Sequence, residues 1–205
     1  MNTSNDFQRF GGLCAILAGI FGFLYSAAFI VVARSNPQLG NLLASLFLLL
    51  GGLSTTAALI ALFQRVQAGD EGFATWGRTL AITGAVGSII HGGYDLANAI
   101  HVPESDPLNL ANLPSAIDPR GLLTFGLAGI GLIIAAGLMT RTKNLPNNLS
   151  YLGYILGIVL VIIYLARLII LDPTNPIVVI TIVITGFVLN PVWNIWLGVS
   201  LRRAA

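Results

Sequence analysis

Charge is what this sequence has least of. Asp, Glu, Lys and Arg make up 9% of its 205 residues, and apolar residues make up 56%. A soluble domain usually carries about 25% charged residues, so this chain could not cover a water-facing surface. Cysteine is nearly absent too. The single Cys14 excludes an internal disulfide and any cysteine-based metal site, and within an apolar run it reads as a small packing residue. Only two histidines are present, His91 and His101. They would stand about 15 Å apart along a helix, too far to share a metal or a haem. No metal and no cofactor is therefore expected. The net charge of +2 and pI near 9.0 come without a basic stripe, which argues against nucleic acid as a partner. Low-complexity stretches and internal repeats are missing as well, and no residue-level likeness supports a three-plus-three inverted repeat.

What is present is long apolar runs, with a mean hydropathy of +0.86. A bilayer span needs roughly 20 apolar residues. The first run, Gly11 to Ala33, exceeds the h-region of a cleaved leader, about 7–15 residues, and is expected to be a span. The sequence predicts an all-α, polytopic transmembrane bundle forming a single domain. Its six spans fall at 11–33, 41–63, 76–100, 120–140, 151–171 and 177–200. Helix-breaking linkers separate them: Ser35-Asn36-Pro37, the segment from Gln67 to Gly72, the segment from Asn144 to Asn148, and Asp172-Pro173-Thr174-Asn175-Pro176. The longest connection, 101–119, carries four prolines and no basic residue.

Orientation follows from the basic residues. Arg9, Arg65, Arg78, Arg141, Lys143, Arg202 and Arg203 share one side. Arg34 and Arg120 share the other with Glu104, Asp106, Asp118 and Asp172. The basic side is expected to be cytoplasmic, giving a chain with both termini inside. In a bacterium it would lie in the inner membrane, with the loop 101–119 outside.

Polar residues within spans mark candidate sites, because they are costly in lipid and face a bundle interior or a wet cavity. Span three carries a heptad seam of small and polar residues: Gly77, Ala81, Gly84, Ser88, His91, Asp95 and Asn98, with Tyr94 beside it. Span five repeats the design with Gly153, Gly157, Leu160, Tyr164 and Arg167. Asp95 should sit roughly 4–5 Å further out than Arg167 at 1.5 Å per residue, a gap an arginine can cover. An Asp95–Arg167 ion pair is expected, with His91 and Tyr164 nearby. Span six adds Gly186, Asn190, Asn194 and Gly198, with Pro191 expected to kink the helix and Trp193 and Trp196 expected as interface anchors. Span one adds Gly12, Gly19, Gly22, Tyr25 and Ser26. Small residues on the cytoplasmic halves allow close packing; the buried charge collects in the outer halves.

Several chemistries are weighed on these residues. Ser88, His91 and Asp95 stack on one helix face and cannot converge as a hydrolytic triad. The Asn190/Asn194 ladder fits helix–helix adhesion better than ligand binding. An ion pair at Asp95 and Arg167 could fix helix register without chemistry, or could line a polar pocket with His91 as a pH-sensitive group.

The segments His91-Gly92-Gly93-Tyr94-Asp95-Leu96-Ala97-Asn98, Ile117-Asp118-Pro119-Arg120-Gly121-Leu122, Tyr164-Leu165-Ala166-Arg167-Leu168 and Asn190-Pro191-Val192-Trp193 resemble motifs of an uncharacterised family of small six-helix bacterial integral membrane proteins. That resemblance implies no activity. It adds Asp118-Pro119-Arg120 to the candidates, with Asp118 as N-cap of span four and Pro119 at the first helical position. The sequence thus leads to a non-enzymatic membrane protein that binds or passes a small or lipophilic molecule. Its polar pocket would lie in the outer half, near Tyr25, His91, Asp95, Tyr164 and Arg167. An accessory or assembly subunit that docks on a membrane partner, or on its own copies, through small-residue seams is the alternative. A weaker one is a membrane-embedded enzyme acting on a lipid or quinone, with His91 and Asp95 as acid and base.

Overall fold

The computed structural model describes residues 3–101, 112–171 and 175–203. All secondary structure among them is helical. Six long helices follow in order. Helix α1 runs Thr3–Ala27 and continues through a π-helical turn, Ala28–Val32, to a last turn at Ala33–Ser35. Helices α2 and α3 span Pro37–Val66 and Glu71–Ile100. Helix α4 begins with a π-helical turn at Leu122–Leu127 and continues as Ala128–Thr142. Helix α5 is Asn147–Ile169. Helix α6 comprises Pro176–Ile184, a π-helical turn at Thr185–Leu189, and Asn190–Arg203. A one-turn helix, Leu113–Ile117, and a 3-10 turn, Pro119–Gly121, lead into α4.

Five segments among the described residues are long and apolar enough to cross a membrane: Asp6–Ser35, Pro37–Gly69, Pro119–Thr142, Asn147–Ile169 and Val178–Arg203. They correspond to spans one, two, four, five and six of the sequence. Helix α3 has the length, with 30 residues, but its small and polar seam lowers its hydropathy. The chain is an all-α protein with the helices of a multi-pass membrane protein.

The turns form where the sequence breaks the helices. Asn36, extended at φ −142°, caps α2 by accepting from the Leu39 N–H at 3.1 Å, with Pro37 at the first position. Asp70 caps α3 in the same way through the Phe73 N–H at 3.0 Å. These caps satisfy backbone donors that a helix start leaves free. Asn144 ties the α4–α5 turn to the end of α2 through the Arg65 carbonyl, 3.2 Å away.

We refer to the end carrying both termini as the terminal end and to the opposite one as the distal end. The helices pack in chain order, α1 on α2, α2 on α3, α3 on α4 and α4 on α5, and α6 returns antiparallel onto α1. Contact between α5 and α6 is lighter. Helices α3 and α5 do not pack on each other; α4 stands between them.

Small residues set the close approaches, as the seams predicted. On α3, an added Cβ at Gly84 would lie 2.5 Å from that of Ala128 on α4, and Ala81 meets Gly131 on the same helix. On α5, Gly157 lies against the Gly129 carbonyl, and Gly153 against Trp193 and Ala136. The seam of α1 is zipped to that of α6: Gly12 to Gly198, Gly19 to Pro191 and Asn194, Gly22 to Asn190, Ser26 to Gly186. In lipid such packing rests on van der Waals contact rather than on the hydrophobic effect.

The core is concentrated at the terminal end. Phe63, Leu62, Val66, Leu138, Met139, Leu149, Leu156, Leu197 and Leu201 are all essentially fully buried there. Trp193 belongs to this core at 3% exposure, so it is not the interface anchor its position suggested. Its indole packs beside Gly153 because that residue has no side chain. Trp196, one turn on, is exposed at 36% and suits that role.

Replacing Gly84 by valine should lower the thermal unfolding midpoint in detergent, with an overpacking cost of about 1–3 kcal/mol. Gly93→Ala is the control, since nothing lies within 4 Å of its added Cβ. Equal losses from both substitutions would contradict close α3–α4 packing.

Candidate functional site

Where the chain enters α4, it reverses through two left-handed residues, Arg120 (φ 58°) and Gly121 (φ 83°). Glycine serves the second because it has no Cβ penalty there. A Cβ at Gly121 would also run into the Phe125 ring and lie 3.1 Å from Nη1 of Arg167. The reversal turns Asp118 inward, and at 1% exposure it is buried.

Four donors converge on the Asp118 carboxylate. Its Oδ1 accepts from the Leu123 N–H at 2.6 Å. Its Oδ2 accepts from the Thr124 N–H at 3.3 Å and the Thr124 hydroxyl at 2.6 Å. Nε2 of His91, half-buried on α3, lies 3.3 Å from the same Oδ2. Burial by itself would raise the carboxyl pKa. Hydrogen bonds from His91, from the Thr124 side chain and from the Leu123 and Thr124 backbone outweigh it and hold the group at about 2. Asp118 was expected as an ordinary N-cap. Its side chain does not cap the 3-10 turn beside it; it reaches five and six residues ahead to the free N–H groups of the π-helical turn.

Arg167 approaches the same turn from α5. Its guanidinium lies over the Phe125 ring, 5.4 Å from the centroid, a cation–π contact. Tyr164, one turn earlier, packs on Gly126. No ion pair joins Arg167 to Asp95 among the described residues, contrary to the expectation from sequence. The reason is the intervening α4: Asp118, just before it, engages His91 on one flank, and Phe125, in its first turn, engages Arg167 on the other.

Asp95 lies eleven residues beyond Gly84, three turns along the same face of α3. That face meets α4 lower down. Asp95 is nevertheless exposed. Tyr25, on α1, is half-buried, and His91 precedes Asp95 by one turn of α3. Tyr25, His91, Asp95 and Arg167 all belong to the distal half of the bundle, where Asp95 opens to the surface.

The remaining candidates fall elsewhere. Tyr94 is 38% exposed and lies about 100° around α3 from Asp95. Asn98 is half-buried near the end of α3. Asn194 donates its amide to the Asn190 carbonyl and to Asn190 Oδ1, at 3.0 and 2.6 Å, while Asn190 fills the space beside Gly22. This ladder joins α6 to α1. Most of the loop 101–119 lies outside the described residues, as do Asp172, Pro173 and Thr174.

Three features escaped sequence reasoning. The first is the pairing of His91 with Asp118 across 27 positions, for which the Asp-Pro-Arg-Gly turn was the only signal. The second is Thr124, an unremarkable residue in an apolar run. The third is the π-helical turns of α1, α4 and α6, all in the distal half. Such turns are frequent at functional sites. The one in α6 ends just before Pro191, whose missing N–H and bulky ring widen the helix there. Among the described residues no three His, Cys, Asp or Glu side chains come together as metal ligands.

Replacing Asp118 by alanine strips four donors of their acceptor and should cost roughly 3 kcal/mol of stability. Thr124→Val, which removes one bond, should cost about 1 kcal/mol. Chemical unfolding in detergent compares them, and equal costs would contradict the convergence on Asp118. Because the folded pKa of Asp118 lies below its ordinary 3.8, the ionised form stabilises the fold. That contribution is complete above about pH 4 and is lost as pH falls towards 2. The Asp118→Ala protein should lack that acid-sensitive component.

Compared with known proteins, the chain matches no family model, no curated protein and no solved structure.

Proposed function

We propose that the chain crosses the membrane six times, α3 included, with both termini in the cytoplasm of a bacterial cell. In this arrangement it is a non-enzymatic protein that binds a small or lipophilic molecule in its distal half. Three observations support the sixth span. Helix α3 is about 45 Å long at 1.5 Å per residue, it packs between two apolar helices, and the small residues of its seam, Gly77, Ala81 and Gly84, lie against α4. The small six-helix bacterial membrane proteins that the sequence resembles fit the same outline.

The observation that carries the binding proposal is the exposure of Asp95, an ionisable group near the distal end of α3, one turn beyond His91. Intramembrane ionisable groups with access to water are expected at binding sites. The packed terminal end closes the opposite side, which favours binding over free passage. Arg167 and Asp95 offer opposite charges to a polar head, and the Phe125 and Tyr164 rings offer apolar surface. One observation favours acid–base work by His91 as a second possibility: a buried carboxylate fixes its ring, as carboxylates orient catalytic histidines.

A thermal-stability screen of purified protein against small amphiphiles should find compounds that raise the unfolding midpoint. Arg167→Gln and Asp95→Asn should each reduce that response at least tenfold in apparent affinity, about 1.4 kcal/mol. Asp95→Asn should leave the unliganded midpoint nearly unchanged, because Asp95 is exposed and has no ion-pair partner among the described residues. Ligand responses that survive both substitutions would overturn the proposal. Co-purification with a larger complex, with no effect of either substitution, would support the accessory-subunit alternative instead.

A further inference from the structure

A cleft lies at the terminal end, between the start of α1 and the end of α6. It has a volume of about 390 Å³ and is lined by Arg9, Ile16, Val199, Arg202 and Arg203. Three arginines thus line one cleft. No acidic side chain pairs with any of them among the described residues. Topology accounts for basic residues at this end, but not for their gathering around a cavity; Arg78, on α3, belongs to the same end and lies outside the cleft.

The floor of the cleft is apolar. Ile16 is two turns along α1 from Arg9, and Val199 is one turn before Arg202 and Arg203. The apolar track continues towards the middle of the bundle. Ile20 on α1 and Ile195 and Val192 on α6 lie on the same sides of their helices, 41%, 38% and 47% exposed. The site is therefore charged at the mouth and greasy below it. Arginine binds phosphate oxygens with paired, charge-assisted hydrogen bonds, and basic pockets between membrane helices on the cytoplasmic side hold anionic lipid headgroups.

We propose that this cleft is a binding site for an anionic phospholipid. Arg9, Arg202 and Arg203 hold its phosphate, and an acyl chain lies along Ile16, Ile20, Val199, Ile195 and Val192. The proposal rests on the bundle lying in a membrane and is independent of the distal site.

The test uses full-length protein in neutral detergent, titrated with phosphatidylglycerol, phosphatidylcholine or inorganic phosphate while thermal unfolding is followed. Phosphatidylglycerol should raise the midpoint saturably, and the other two should not. Combining Arg9→Gln with Arg202→Gln should weaken the phosphatidylglycerol response roughly tenfold or more, whereas Arg78→Gln should change it less than twofold. Val199→Phe, which fills the floor without altering charge, should weaken it as well, and serves if the double variant does not fold. Equal responses to phosphatidylcholine would overturn the headgroup assignment. A matching response to inorganic phosphate would reduce the site to a simple anion site. An equal loss in Arg78→Gln would reduce it to overall charge.

Discussion

The Asp118 carboxylate is the fixed point of the distal half. It is buried where the chain re-enters the bundle, and it gathers the first N–H groups of α4, a threonine hydroxyl and a histidine from α3. A buried carboxylate is costly unless its lone pairs are met, and here they are met by groups from two helices. The interaction therefore does more than cap α4. It locks the entry of α4 against α3 and sets how far α4 intrudes between α3 and α5. With α4 between them, α3 and α5 do not pack on each other, and Arg167 lies over Phe125 of α4.

The two ends of the bundle are built on different physics. At the terminal end, glycine and alanine let backbones approach, and leucines, Phe63, Met139 and Trp193 fill what remains. At the distal end, three helices carry π-helical turns, and large buried side chains are few. A wider turn spaces side chains unevenly and leaves backbone groups less constrained, which suits an opening more than a seal. The proline in α6 and the left-handed turn before α4 accommodate this irregularity without breaking the helices.

Much of the fold was legible because membrane helices state themselves in long apolar runs and because caps such as Asn36 and Asp70 are local. The small-residue seams were legible for the same reason: Gly77, Gly84, Gly153 and Gly157 repeat at helical spacing. What was not legible was which seam meets which. Arg167 and Asp95 looked like partners because both are charged and at similar depth, but neighbour relations among helices are not written in periodicity. Asp118 found His91 because of a left-handed turn whose geometry only the folded chain reveals. The π-helical turns had no sequence signal except Pro191 in α6.

Asp95, near the distal end of α3, is exposed, whereas Ser150, near the terminal end of α5, is fully buried. Cysteine accessibility tests this contrast directly, in protein whose only native thiol, the buried Cys14, has been replaced by serine. In sealed vesicles of known orientation, Asp95→Cys should react with a membrane-impermeant maleimide only from the side opposite the termini. Ser150→Cys, at a position with no exposure at the terminal end, should react from neither side. Labelling of Ser150→Cys, or labelling of Asp95→Cys only from the side of the termini, would contradict this account.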